Sequence, residues 1–259
     1  MRQLHHAAIV ASLILTAYAA SQVLPPMVVN LWAGLLPDVS VLLASLPVAQ
    51  GKNGRRNIYE FTARRPARWK SLGEISQGAV SAVLAAEDAG FWTHQGYEPE
   101  SIRSAWTENL KAGRFVRGGS TITQQVVKNL FLSPDKTLSR KARELLLAVR
   151  LERALGKKKI LEIYLNIAEW GPGIYGIEQA ARKYFGKSAS ALEPKEGAML
   201  AFMLPNPERL RHSVLGSNGP TAFGAGRVSD ILYKLWRTGK ISDEEYASGQ
   251  VPTEIPSDL

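Results

Sequence analysis

Ala79-Val80-Ser81-Ala82-Val83-Leu84-Ala85-Ala86-Glu87-Asp88 is the stretch from which the fold is read, and its pattern is helical. Three, four and seven residues before Glu87 stand Leu84, Val83 and Val80, so its carboxylate rides on the apolar face. Burial there disfavours the charged form and should raise the pKa. Glu144 has the opposite setting. It lies in Ser139-Arg140-Lys141-Ala142-Arg143-Glu144-Leu145-Leu146, also helical, with Lys141 and Arg140 three and four residues back. Two cations one turn away favour the ionised carboxylate. Carboxylates in such contrasting environments are the arrangement that glycosyl-transfer and glycosidase sites use.

Working outward, helical patterns dominate: residues 76–89, 100–112, 121–131, 138–155, 157–168, 175–184, 193–203, 225–238 and 242–248. Gly90, Gly113, Gly156, Gly186 and Gly239 fall where several of them should end. Ser242 before Asp243-Glu244-Glu245 marks a helix start. The best strand candidate is 57–62, and Gly51-Lys52-Asn53-Gly54-Arg55-Arg56 reads as a polar, turn-rich linker. The fold class is mainly α. Two segments are expected: residues 1–50 as a membrane anchor with an apolar juxtamembrane stretch, and 51–259 as one domain.

The anchor follows from the N-terminus. Between Gln3 and Leu24 no acidic or basic side chain occurs apart from His5 and His6, and a bilayer span needs about 20 apolar residues. Pro25-Pro26 would end the helix. Ala17-Tyr18-Ala19 also fits a signal-peptide cleavage site, but the apolar segment is long for one, which favours a retained anchor. Either way the body lies outside the cytoplasm. A second apolar stretch, 27–49, is broken by Pro37, Asp38 and Pro47 and reads as interfacial or packed.

The chain has no cysteine, which excludes disulfides, thiolate metal sites and a cysteine nucleophile. Its net charge of +9 lies wholly in residues 51–259, which suits an anionic partner: nucleic acid, lipid headgroups or a pyrophosphate.

Gly118-Gly119-Ser120-Thr121-Ile122-Thr123-Gln124-Gln125-Val126-Val127-Lys128-Asn129 carries the second strong signal. Thr121 with Gln124 makes a capping box. Capping does not account for Gly118, Gly119, Gln125, Lys128 and Asn129 around the same helix start. Free N–H groups there make a seat for an oxyanion or a sugar.

Taken together these residues resemble the peptidoglycan glycosyltransferases. Glu87-Asp88-Ala89-Gly90-Phe91-Trp92-Thr93-His94-Gln95-Gly96 resembles the first family motif; Gly119 to Gln125 with Lys128-Asn129 resembles the second; Arg140-Lys141-Ala142-Arg143-Glu144 resembles the third. Lys159-Ile160-Leu161-Glu162-Ile163-Tyr164-Leu165-Asn166 is similar to the fourth, followed by Gly171, Gly176, Ala180 and Tyr184-Phe185-Gly186. Glu196 to Leu200 and Leu204-Pro205-Asn206-Pro207 resemble the closing segment. The match runs in order from about residue 69 to 212. One departure is Tyr97-Glu98, where the family commonly has an aromatic residue and then Asp. The chain resembles the monofunctional, membrane-anchored branch: Ser133-Pro134-Asp135-Lys136 fits Ser-x-x-Lys, but no Ser-Asp-Asn or Lys-Thr-Gly follows it.

The resemblance implies a lysozyme-like glycosyltransferase domain with a small membrane-associated jaw between Gly90 and Gly119, after an N-terminal transmembrane helix. In that jaw Phe91, Trp92, Trp106, Phe115 and Val116, among Lys111, Arg114 and Arg117, would enter the lipid interface, with Trp106 equally readable as core. The implied reaction polymerises lipid II, inverting at the anomeric carbon, on the outer side of the cytoplasmic membrane in cell-wall synthesis. Glu87 would be the general base and Glu144 would help stabilise the leaving pyrophosphate, directly or through a divalent cation. Lys128, Arg140 and Lys141 would meet the pyrophosphates, and Ser120, Thr121, Gln124, Gln125 and Asn129 would line the same pocket. Tyr164 and Asn166 read as fold-supporting. No cofactor is obligatory; magnesium or manganese at Glu144 is the one optional addition. The implied partners are lipid II, the lipid-linked growing glycan, the membrane and division or elongation proteins, but no nucleic acid. Two rivals stand: a lytic peptidoglycan-cleaving enzyme, which would not need Lys128, Arg140 and Lys141, and an inactive membrane-tethered scaffold, against which the intact Glu87 and Glu144 argue.

Overall fold

The computed structural model describes residues 36–54, 56–113, 118–135, 137–216 and 219–250. It is mainly helical. The elements are α1 (Val41–Ala44), β1 (Leu46–Asn53), β2 (Arg56–Thr62), α2 (Gln77–Glu87), α3 (Pro99–Ala112), α4 (Ile122–Phe131), α5 (Leu138–Leu155) and α6 (Lys157–Ile167). After them come β3 (Glu169–Gly171), β4 (Ile174–Tyr175), α7 (Ile177–Phe185), α8 (Pro194–Met203), α9 (Pro207–Val214), α10 (Ala222–Arg237) and α11 (Asp243–Gly249).

The centre of the fold is α6. Ile160, Leu161, Ile163, Tyr164, Leu165 and Ile167 are all buried, so it is apolar on nearly every face and must be covered all round. It packs against α4 and α5 and against strand β1. Asn166 works for the fold: its amide bridges the N–H and carbonyl of Lys70, both at 2.8 Å, pinning the strand-to-helix connection. The second layer is α2 against α8 and α10. These helices nearly touch at Gly197, where an added Cβ would lie 2.5 Å from Ala79 Cα, so only glycine permits the approach. Both helices are rich in small buried residues, Ala79 and Ala82 on α2, Ala198 and Ala201 on α8.

Several expectations are corrected. Residues 51–54 are not a linker: β1 runs through Asn53 and pairs antiparallel with β2, from Leu46↔Thr62 to Asn53↔Arg56, with a bulge between Ala49 and Gly51. The turn residues Asn53-Gly54 serve a hairpin, whose backbone needs the positive φ of +58° that Gly54 supplies. Helix α9 has no counterpart in the periodicity. Asn206 caps it by accepting from Arg209 N–H at 3.3 Å, with Pro207 in the first turn. From the second apolar stretch, Val39 and Leu42 are buried, as a packed segment requires.

Phe91 does not face lipid. It is fully buried, with the Lys157 ammonium 4.5 Å over its ring and Trp92 edge-on at 5.1 Å. Trp92 and Leu110 are exposed, as is Lys111. The Trp106 side chain and residues 114–117 lie outside the described residues, as does the expected anchor at 3–24. Among the described residues no helix is long and apolar enough to cross a membrane.

Candidate active site

Glu87 is the last residue of α2, and the chain leaves the helix through Asp88, whose extended φ of −162° turns it away from the helix axis. The buried Asp88 carboxylate accepts from Ile122 N–H of α4 at 2.9 Å and from His94 Nε2 at 3.0 Å. One carboxylate thus caps α4 and ties the end of α2 to its start. The loop returns through Gly96, whose N–H donates to His94 Nδ1 at 3.1 Å and whose carbonyl accepts from the Thr121 hydroxyl at 2.7 Å. Gly96 has φ +97°, and a Cβ would lie 2.8 Å from the Ala148 carbonyl carbon of α5; no other residue fits.

Behind this loop, Lys157 reaches His94 Nδ1 at 3.2 Å and Glu152 at 2.6 Å, and Thr123 Oγ1 also donates to Glu152 at 2.6 Å. Gly96 N–H and Lys157 both point at Nδ1, which leaves Nε2 as the donor to Asp88.

That frame sets Glu87 beside α4. Gln125 Nε2 donates to Glu87 Oε2 at 2.7 Å. Glu87 is half-buried by area, but protein atoms crowd its carboxylate, and this desolvation raises its pKa. The Gln125 hydrogen bond and Lys128 pull in the opposite direction, and Asp88 adds to the rise.

The second carboxylate sits on α5. Glu144 is buried, and its two oxygens accept from Arg140, at 2.5 Å, and from Lys141. Lys141 also donates to Ser120 Oγ at 2.9 Å, which joins the glycine-rich turn to the cluster. Lys128 connects the two halves. It is exposed by area, yet protein atoms crowd its ammonium; desolvation lowers its pKa. Glu144 and Glu87 counter that shift while Lys141 and Arg140 add to it. Each carboxylate therefore feels the same cation.

The structure brings together Glu87, Gln125, Lys128, Arg140, Lys141, Glu144 and Ser120. Thr121 and Gln124 are placed differently. Both are buried in a reciprocal capping box, Thr121 N–H to Gln124 Oε1 at 2.9 Å and Gln124 N–H to Thr121 Oγ1 at 3.2 Å. Asn129 is half-buried and shares none of these contacts. Asp88, His94, Thr123, Glu152 and Lys157 form a supporting network that the residue pattern did not assign, although Asp88 and His94 stand inside the first quoted motif. Tyr164 is also nearer the site than expected: its hydroxyl donates to Gln125 Oε1 at 3.2 Å. Around Glu144 the residues do not form a metal cradle, since both carboxylate oxygens are taken by cations. Among the described residues no group of three His, Asp or Glu could hold an ion.

The sequence profile described as Transglycosylase matches residues 54–233, more than half of the chain and all of the site. The chain belongs to the transglycosylase family. A biosynthetic peptidoglycan transglycosylase of Nitrosomonas eutropha is 50% identical over 145 residues, which is 56% of this chain and 59% of that protein. One from Azoarcus sp. is 49% identical over 151 residues, 58% of this chain and 65% of the other. One from Dechloromonas aromatica is 48% identical over 170 residues, 66% and 71%. The chain thus spans less than two thirds of the first two relatives' own length. Penicillin-binding protein 1A of Haemophilus influenzae matches more loosely in structure, at 21% identity and a TM-score of 0.40, over 82% of this chain and 21% of that one.

Proposed function

We propose that this transglycosylase-family chain is a peptidoglycan glycosyltransferase that polymerises lipid II into β-1,4-linked glycan and releases undecaprenyl pyrophosphate. The carrying observation is the division of charge. Glu87 is desolvated and hydrogen-bonded to Gln125, while Arg140, Lys141 and Lys128 gather around Glu144. A lytic enzyme acting on finished glycan has no pyrophosphate for three cations to meet. The site supports transfer.

In this reading Glu87 takes the proton from the acceptor's 4-hydroxyl. The freed oxygen attacks the anomeric carbon of the lipid-linked growing glycan as the bond to pyrophosphate breaks on the opposite face. One displacement inverts the α-linkage to β. A base whose pKa is raised toward the working pH is suited to that transfer. Charge builds on the departing pyrophosphate, where Lys128, Arg140 and Lys141 stabilise it by charge-assisted hydrogen bonds. Glu144 holds Arg140 and Lys141 in place, and Lys141 carries Ser120 with it. Thr121 and Gln124 shape the pocket from beneath by fixing the start of α4. No step is routed through a metal.

The same reading makes the fold a lysozyme-like lobe with a smaller jaw around α3, residues 51–259 the catalytic domain, and residues 1–50 its single-pass anchor in the cytoplasmic membrane, with the domain outside. Partners would be the membrane and cell-division or elongation proteins. The test is incubation of detergent-solubilised protein with labelled lipid II beside Glu87→Gln, with gel separation of products. A ladder of glycan that disappears in Glu87→Gln is the expected result. No ladder from folded wild type, across several detergents and divalent cations, overturns the proposal.

A further inference from the structure

The polar contacts behind Glu87 end on a group with no assigned part in the chemistry. Tyr164 is buried on the central helix α6, and its hydroxyl donates to Gln125 Oε1 at 3.2 Å. The other end of that amide donates to Glu87 Oε2 at 2.7 Å. We propose that Tyr164 is a positioning residue: its hydroxyl locks the Gln125 amide in place with its NH2 toward Glu87 and strengthens its hold on the ionised carboxylate. The catalytic meaning of this rests on the function proposed above; the lock itself is a property of three side chains.

A glutamine amide has two unlike ends, an oxygen that only accepts and an NH2 that only donates. A donor fixed on Oε1 leaves only the NH2 to face Glu87. An N–H donates strongly to the carboxylate and only weakly to the carbonyl oxygen of a protonated acid. Turned over, the amide would present Oε1, which repels the carboxylate and accepts from the acid's O–H. The amide orientation therefore selects the protonation state.

Tyr164 suits the task because it stays protonated: its O–H, donating to Oε1, polarises the amide and strengthens the N–H that meets Glu87. Burial first, then Glu87 and Asp88, push its ionisation well above the ordinary tyrosine range. Its hydroxyl makes no other hydrogen bond among the described residues. The groups that act on Glu87 are Asp88 from the adjoining turn and Lys128 and Gln125 from α4. Beyond Lys128 stand Arg140, Lys141 and Glu144 of α5. None of these charged groups is hydrogen-bonded to the Tyr164 hydroxyl, so the hydrogen bond lost with that oxygen is the one to the Gln125 amide. With it gone, the amide loses its anchor and its polarisation, and its N–H stabilises the ionised carboxylate less than in the wild type.

The experiment is a carboxyl titration by NMR with 13C-labelled glutamate, the Glu87 signal being the one lost in Glu87→Gln. Wild type, Tyr164→Phe, Gln125→Ala and the double variant are compared. Tyr164→Phe moves the Glu87 midpoint to higher pH by about half a pH unit, and Gln125→Ala by about one, the size expected for one hydrogen bond to a charged group. The double variant moves no further than Gln125→Ala, because Tyr164 acts through Gln125. The acidic limb of the glycan-forming rate moves with the midpoint. A packing role for Tyr164 would lower the rate at every pH and leave the midpoint alone. 3-Fluorotyrosine at position 164 keeps the packing and sharpens the donor, and lowers the midpoint. An unmoved midpoint in Tyr164→Phe, or additive shifts in the double variant, overturns the lock. Because the titration needs no turnover, a wild type that makes no glycan refutes the proposed function and leaves the lock still decided.

Discussion

Replacing Asp88 by alanine breaks the joint on which the site depends. The carboxylate is buried and accepts two hydrogen bonds, from Ile122 N–H at 2.9 Å and His94 Nε2 at 3.0 Å. Alanine leaves both donors buried without a partner. Hydrogen bonds to a charged acceptor contribute about 1.5–3 kcal/mol each, so the loss is about 3–6 kcal/mol. That is a large part of the roughly 5–15 kcal/mol that holds a domain folded. Urea unfolding followed by far-UV circular dichroism reads it directly, as a midpoint lowered by about 1–3 M. Asp88→Asn keeps one acceptor oxygen, enough for Ile122 N–H, and turns an NH2 toward His94; about half of the loss is expected. Activity separates the joint from bulk stability. Asp88 aligns α2 with α4, and the 2.7 Å contact between Glu87 and Gln125 depends on that alignment. Misplacing a reacting group by about 1 Å costs about a hundredfold, so the folded fraction of Asp88→Ala should lose about that much turnover with lipid II. A urea midpoint equal to wild type refutes the reasoning. So does an Asp88→Asn protein as damaged as Asp88→Ala, since charge and not acceptor count would then govern.

Three further outcomes follow from the same geometry. Lys141→Met removes the contacts to Glu144 and Ser120 and one cation from the leaving group; kcat should fall by about 10²–10³, as for loss of one preorganised donor, with a smaller change in KM, measured by continuous lipid II consumption. Burial raises the Glu87 pKa in the folded state above its unfolded value of about 4.3, so its ionisation costs stability as pH rises through the folded pKa. Glu87→Gln should therefore melt higher than wild type at neutral pH, the difference vanishing below about pH 4; a variant that melts lower at neutral pH contradicts this. Gly96→Ala must leave φ +97° or push a methyl against the Ala148 carbonyl, and should cost about 1–3 kcal/mol or more in urea unfolding. A neutral Gly96→Ala would mean that the loop is free of α5.

Much of the site was legible because it is written locally. Glu87 among Val80, Val83 and Leu84, and Glu144 after Arg140 and Lys141, are facts of helical spacing, and spacing survives into the fold. Thr121 and Gln124 were read correctly as a capping box, but a capping box pointing inward looks the same in sequence as one at a pocket wall. That both side chains are buried is a fact of the fold that the spacing does not show. The hairpin was hidden because Asn53-Gly54 signals a turn whether or not strands flank it, and the partner strand lay in a stretch read as apolar and membrane-proximal. Phe91 illustrates the same limit. An aromatic beside Trp92 near basic residues fits a lipid-facing surface equally well until Lys157, 66 positions away, is found over its ring.

The amino-acid sequence by itself determined the helical class, the order of the motifs and the two contrasting carboxylates, because each depends on residues within one or two turns of one another. Only the tertiary structure decided what those carboxylates touch. That Gln125 of α4 donates to Glu87 of α2, that Tyr164 of α6 holds the same amide, and that Asp88 caps α4 through Ile122 are meetings of residues 34 to 39 positions apart. Such contacts are set by how packed helices cross, at places such as Gly197 and Gly96 where only a missing side chain lets them approach. No local pattern encodes a crossing, and the chemistry of this site is made at the crossings.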